Sequence, residues 1–358
     1  MNDNIVIQVD LQHHESADDD TEPYHPVIDT LIDDVLPTID DEPYLAVFAL
    51  THPDKDHCKG FAELLERCTI GELWFSPRII REFDTDDGLS DDAQAFCDEA
   101  QRRIDEYEDG DVETGDRIRI IGNDDILAED DFTHIPDERK SRPGESTTVL
   151  DGVDLDGTFR AFFHAPFGDD SDTDERNRTS LAMQLTLTEG EGIGRLMLFG
   201  DLDYPPLKRI FEYSDDDDKA WDVFLTPHHC AKSAMYFREA DDDEPVLKQD
   251  LLNLIEVAGG DDGWIVASAT KVPSTNKKGD NPPHAIARER YEEIAPTGFL
   301  CTGDDEDSDE PIAFQVDADG IALCSSAAPV EASQAAAAID AARGGAEPVA
   351  TTVGFGRR

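Results

Sequence analysis

Residues 44–50 read YLAVFAL, seven apolar side chains in a row. A strand with one wet face alternates apolar and polar residues, so an unbroken run of this length implies a strand buried on both faces. Such a strand needs covering layers above and below its sheet. The run stops abruptly at THPDKDH (51–57), and GFAELLERC (60–68) then reads as a helix. Two later apolar runs end in the same manner, RLMLFGD (195–201) and WDVFLTP (221–227), the second followed by HHCAKS.

The rest of the chain mixes both element types. NIVIQVDL (4–11), IGELWFS (70–76), FRAFFHA (159–165), SLAMQLTLT (180–188) and WIVASAT (264–270) read as strands. Residues 25–39, 90–108, 203–213, 246–258 and 284–294 space their apolar residues as helices do, with Ser90 as an N-cap and prolines opening the 203–213 segment. The stretch 109–146 is charged and irregular, with one strand-like IRII at 118–121, and reads as an acidic insertion. Short closing strands follow Phe299, and from about residue 326 to 358 the chain is an Ala/Gly-rich loose tail. No linker divides residues 1–325, so a single α/β domain is expected.

The 358 residues carry 83 Asp+Glu against 30 Lys+Arg, a formal net charge of −53. The acids are spread along the chain, unlike an acidic tail. With 39% apolar residues, disorder is excluded as an overall description. Repulsion of this size is screened at molar salt, where the Debye length is about 3 Å, and the composition therefore points to a halophile's cytoplasm. Six dispersed cysteines without a CxxC read as reduced thiols. Neither a basic-then-apolar leader nor an apolar run near ~20 residues is visible, so a cytoplasmic protein with no membrane contact is expected.

The chemistry concentrates at the strand ends. His52, Asp54, Asp56 and His57 offer nitrogen and carboxylate ligands suited to Zn or Mn where a strand gives way to a helix. Gly200-Asp201 ends the second run, with Asp201 read either as a helix N-cap or as a ligand. His228 and His229 end the third. Adjacent side chains on an extended strand diverge, which implies one ligand and one cleft residue, in an order left open. His164 lies on an apolar strand and reads as a core residue. Lys232, Lys271, Lys277 and Lys278 are rare cations in this chain, read as surface lysines or as a phosphate-holding rim beside Asn281 and His284.

In this order, the three clusters resemble the metallo-β-lactamase superfamily, whose pattern is HxHxDH, then Asp, then His. They are most similar to the metallo-β-lactamase domain of ComEC-type DNA-uptake proteins. THPDKDHCKG corresponds to THPDxDHxGG, Asn177–Ser180 to NxxS, Gly200-Asp201 to GD, and Pro227-His228-His229 to the start of PHHGS. The segment 267–284 is similar to SxGxxNxxGHPH. The departures are Asp54 in place of a histidine, Cys230 in place of the PHHGS glycine, a helix at 25–38 in place of a hairpin, and no clear match for the family's third-motif histidine. Asp10 stands where the family has its first aspartate.

The resemblance implies a four-layer αββα sandwich holding one or two divalent ions (Zn or Mn). His52, Asp54 and Asp201 would hold one ion and Asp56, His57 and His229 the other, with Asp201 shared and a bridging hydroxide as nucleophile. Asp56 is the candidate base if one ion binds, and His228 the candidate proton donor. Asn177, Ser180, Lys232, Asn281 and His284 would support the site or the substrate. The activity implied is a phosphodiesterase or nuclease acting on nucleic acid or a nucleotide. The alternatives are a hydrolase of a small ester, thioester or lactam, and a non-catalytic binding relative. Oligomeric state is not legible.

Overall fold

The computed structural model describes residues 5–13, 25–81, 88–108, 110, 112–168, 176–277, 279–304, 311–324 and 352–355. Two sheets face each other. The first is parallel, in the order β1 (Ile7–Val9), β2 (Glu42–Ala49), β3 (Thr69–Phe75), β4 (Arg117–Ile121) and β5 (Lys140–Ser141). A short strand, Thr38–Ile39, pairs antiparallel with β2.

The second sheet runs from β6 (Ser146–Thr147) through β7 (Phe159–Ala165), β8 (Ala182–Glu189), β9 (Gly192–Leu198), β10 (Trp221–Leu225) and β11 (Gly259–Ala267) to β12 (Gly298–Cys301). Its first four strands are antiparallel neighbours, and β9 to β12 are parallel.

Three separate apolar cores make this a four-layer αββα sandwich. One lies between the first sheet and its helices: Phe48, Leu73 and Ile120 pack against Phe61, Phe96 and Ile104. The second lies between the sheets, where Val47, Ala49 and Trp74 meet Phe163, Met183 and Val223. The third joins the second sheet to its helices, Met197 and Phe224 against Leu207, Leu252 and Tyr291. The run at 44–50 is thereby explained: Phe48 and Leu50 point to the helices, Val47 and Ala49 to the other sheet.

Three differences from the sequence reading have physical causes. The stretch 109–146 supplies β4 and β5, two strands of the first sheet, and so is built into the fold. The strand-like 118–121 lies in β4, in which Arg119 is buried and Arg117 half-buried against acidic partners; of the two, only β5 carries no strand signal. The helical spacing at 25–38 gives one α turn, Val27–Thr30, that runs into a π turn, Leu31–Val35, and stops before Pro37, whose ring disfavours helix in the residue ahead of it. Within the expected tail, Thr352–Phe355 pairs antiparallel with Ile312–Gln315; the remainder of 325–358 lies outside the described residues. No described helix is long and apolar enough to cross a membrane.

Candidate metal centre

Parallel strands carry all their carboxyl ends to one edge, where open α/β sheets place their sites. Asp10 follows β1, His52 follows β2, Asp201 follows β9, His228 and His229 follow β10, and Ser268 follows β11. The site is assembled there, from both sheets.

Asp201 is buried at its centre. Its Oδ2 lies 3.7 Å from His52 Nε2 and 3.5 Å from His228 Nε2. Its Oδ1 lies 3.1 Å from His57 Nε2 and 3.6 Å from His229 Nε2. Asp54 Oδ2 is 3.7 Å from His52 Nε2, and Asp56 Oδ2 is 3.2 Å from His229 Nε2. Among the described residues, two sets of ligand atoms lie within 4.8 Å of one another, His52, His57 and Asp201 in one and Asp56, His57 and His229 in the other, with Asp54 beside His52 and Asp201 Oδ1 near the second set. Ligand atoms roughly 2.0–2.2 Å from a tetrahedral ion lie roughly 3.3–3.6 Å from one another. The observed spacings bracket that range.

The imidazoles are oriented from behind. Thr51 donates its hydroxyl proton to Asp10 at 2.7 Å, so its oxygen accepts from His52 Nδ1 at 3.1 Å. His57 Nδ1 donates to Asp10 Oδ2 at 2.8 Å, and His229 Nδ1 donates to the Ser268 carbonyl at 2.9 Å. With the proton fixed on Nδ1, all three present an Nε2 lone pair to the centre, the arrangement that supporting carboxylates and carbonyls give metal-binding histidines.

Two features of the cluster fit a bound cation. His57 Nε2 and His229 Nε2 face each other at 3.0 Å, lone pair against lone pair unless something positive intervenes. His52 Nε2 and Asp201 Oδ1 are buried without a hydrogen-bond partner. The electrostatics of the cluster agree. Burial opposes charge on His57, but the Asp10 and Asp201 carboxylates outweigh it and raise its pKa well above the usual value. Burial likewise opposes charge on Asp201, and His57, His52 and His229 overcome it, holding the carboxyl well below its ordinary range. A proton on His57 thus stands in for an ion, and the residues present fit a divalent metal.

His228 differs from the other three histidines. Its Nδ1 faces the carboxamide nitrogen of Asn177 at 3.4 Å, a donor, so Nδ1 accepts and the proton sits on Nε2, toward Asp201. The expected divergence of His228 and His229 does not occur, because this segment is not extended. His228, His229 and Cys230 have φ of 47°, 54° and 67°, a left-handed turn that brings both rings to Asp201. Cys230 itself adopts the conformation that a glycine would supply, and Gly200 takes it at φ 52°. A side chain on Gly200 would lie 2.8 Å from Ser180 Cβ and 2.9 Å from Thr51 Cβ.

The other sequence candidates separate. Ser180 Oγ accepts from the Asp201 amide at 3.2 Å and so fixes the shared carboxylate. His284 is buried behind the histidine turn: its amide donates to the Cys230 carbonyl at 3.1 Å, its Nδ1 accepts from the Lys232 amide at 3.3 Å and its Nε2 donates to the Asp280 carbonyl at 3.1 Å. It braces the loop and does not line the mouth. The Lys232 and Asn281 side chains are exposed, and Lys278 lies outside the described residues. His164 is a satisfied core residue, bonded to Ser214 Oγ and the Asp218 carbonyl at 3.1 Å each. Sequence reasoning missed Thr51 and Ser268, which act through one hydroxyl and one carbonyl and carry no motif signal.

No family model matches the chain, and no curated protein does. Among solved structures, the metallo-β-lactamase fold protein YhfI from Bacillus subtilis is similar over 72% of this chain and 73% of that one, at 12% identity and a TM-score of 0.31. At that level the functional reading has to rest on the geometry of the site.

Proposed function

We propose that this protein is a metal-dependent hydrolase of phosphodiester bonds, acting on a nucleic acid or a nucleotide. The observation that carries the reading is Asp201, whose two oxygens each face a separate set of donors. His52, Asp54 and Asp201 would hold one divalent ion, and Asp56, His57, His229 and Asp201 the other. When bound, such ions acidify water toward neutral pKa and neutralise charge on the attacking and leaving oxygens of a phosphoryl group.

The chain's own residues supply the rest. Asp10 keeps the His57 proton on Nδ1, and Ser268 does so for His229. The Asp56 carboxylate is about one-third exposed, more than that of Asp201, and with a single ion bound it is placed to take a proton from entering water. His228 carries its proton on Nε2 beside Asp201, placed to give it to the departing oxygen, with Asn177 holding the opposite ring nitrogen. Preference for a phosphodiester over an acyl bond is supported by this donor and by the motif likeness.

The test is hydrolysis by the purified protein in molar KCl with Mn²⁺ or Zn²⁺, offered single-stranded DNA, duplex DNA, RNA and a generic diester. Cleavage that disappears with Asp56→Ala and with Asp201→Ala is expected. Undiminished cleavage in both variants would sink the reading. Turnover of esters or thioesters with none of diesters would replace the substrate class and keep the metal centre.

A further inference from the structure

A second polar feature lies at a lateral edge of the sandwich, where the end strands β5 and β6 of the two sheets both line one cleft. A cleft of about 610 Å³ opens there, with Arg119, Arg139, Lys140, Ser141, Ser146 and Thr147 in its wall. It shares no residue with the metal centre. Three cations in one wall are notable in a chain of 30 basic and 83 acidic residues.

The charges in this wall do not cancel pair by pair. Glu72, fully buried behind it, lies 3.2 Å from Arg139 and 3.9 Å from Arg119, so one carboxylate serves two guanidiniums. That carboxylate also accepts the Asp151 amide at 2.8 Å. Two rim acids, Glu138 and Glu145, complete the lining. Glu145 is engaged by Arg142, through the backbone amide at 2.9 Å and the guanidinium at 3.7 Å. Glu138 offers Arg119 its carbonyl at 3.1 Å, and its side chain is exposed.

Arg119 is the residue that points to a ligand. Its side chain is 5% exposed, and its Nε makes no hydrogen bond, facing the shared Glu72 carboxylate only at 3.9 Å. One of its amino groups is used, on the Glu138 carbonyl and Ser141 Oγ at 3.1 Å. Burial opposes charge on this guanidinium and lowers its pKa, with the shared Glu72 carboxylate opposing. An oxyanion is the ligand that a half-used guanidinium, an ammonium and hydroxyls suit. The volume is that of a small-molecule site and leaves room for more than a bare ion.

The geometry points to this cleft as a binding site for the phosphate group of a small phosphorylated molecule, of nucleoside monophosphate size, held by Arg119, Arg139 and Lys140. The inference is independent of the hydrolytic reading, since the cleft stands apart from the metal centre.

Calorimetric titration tests it, with inorganic phosphate and AMP as probes, chelator-stripped full-length protein and fixed KCl. Saturable one-to-one binding is expected, retained in Asp201→Asn and weakened at least tenfold in Lys140→Glu. Lys140 is half-buried at the cleft wall, so its variant keeps the test open should Arg119→Met fail to fold. AMP binding more tightly than phosphate would support a ligand larger than the bare ion. No saturable binding of either probe, equal affinity in Lys140→Glu, or loss in Asp201→Asn would overturn the assignment.

Discussion

Asp201 and Glu72 are both carboxylates buried in this sandwich, yet their surroundings are opposite. Glu72 is met by Arg139 and Arg119, and its neighbour Asp151 by Arg117 at 2.9 Å, Thr114 at 2.9 Å and the Tyr44 hydroxyl. Among the described residues, Asp201 is met by imidazoles and by the Ser180 hydroxyl at its amide. A guanidinium is a permanent cation, whereas an imidazole with a free Nε2 is neutral. At Glu72 the chain supplies its own positive charge, in excess of the carboxylate it serves. At Asp201 it supplies ligands, and the positive charge has to come from outside. The comparison teaches that a buried acid in this protein marks structure or chemistry according to which kind of nitrogen faces it.

The largest test of that distinction is removal of single imidazoles. His229→Ala should lose one bound ion by elemental analysis, since it takes away a ligand with an Nε2 lone pair. His228→Ala should keep both ions while hydrolysis falls about 10²–10⁴-fold, the range for a lost proton donor. If His228→Ala also sheds an ion, its Nε2 is a ligand and the tautomer assigned through Asn177 is reversed.

At the arginine end, Glu72→Leu should cost about 3–5 kcal/mol in denaturant unfolding, because it leaves the buried Arg119 and the half-buried Arg139 without their carboxylate. Metal content should stay unchanged. A variant of wild-type stability would mean that the cluster is not a structural ion network. Next in size is Asp10→Asn. Among the described residues the Asp10 carboxylate holds His57 and Thr51 and belongs to neither ligand group. Metal affinity should drop about 10–100-fold, as is typical when a supporting partner is removed. An unaltered affinity would show that His57 is oriented by packing alone.

Much of this was legible in the sequence, and the failures share a cause. Three apolar runs ending in THPDKDH, GD and PHH are local signals, and they fixed where strands stop and polar groups begin. The support of His57 by Asp10 joins residues 47 positions apart through one side chain, which no local pattern encodes. The turn at 228–230 is left-handed without a glycine, so the residue that usually announces such a turn is absent. The insertion reading of 109–146 fails although its one strand-like segment, 118–121, lies in β4, because Arg119 within it is buried against Glu72 and over the Trp74 ring, 5.8 Å from its centre. In each case a long-range polar contact overrides the local preference.

His164 supplies the control for the comparison, a buried histidine that wants no cation. Burial pushes its pKa down to about 4, and hydrogen bonds to Ser214 and the Asp218 carbonyl satisfy the neutral ring. Because the folded value lies below the ordinary one of about 6.5, the unfolded chain binds more protons between those two pH values. Its contribution to stability is complete above about pH 6.5 and is lost progressively as pH falls toward 4. At pH 5.5 the loss is about 1.4 kcal/mol. His164→Gln should flatten the acid limb of the stability profile by that amount, with metal content unchanged at neutral pH. Added metal should leave this increment as it is, while it shifts the part of the profile that comes from His57. If the His164→Gln profile matches the wild type, burial of an imidazole has no energetic signature here, and the contrast with the metal-facing histidines loses its thermodynamic half.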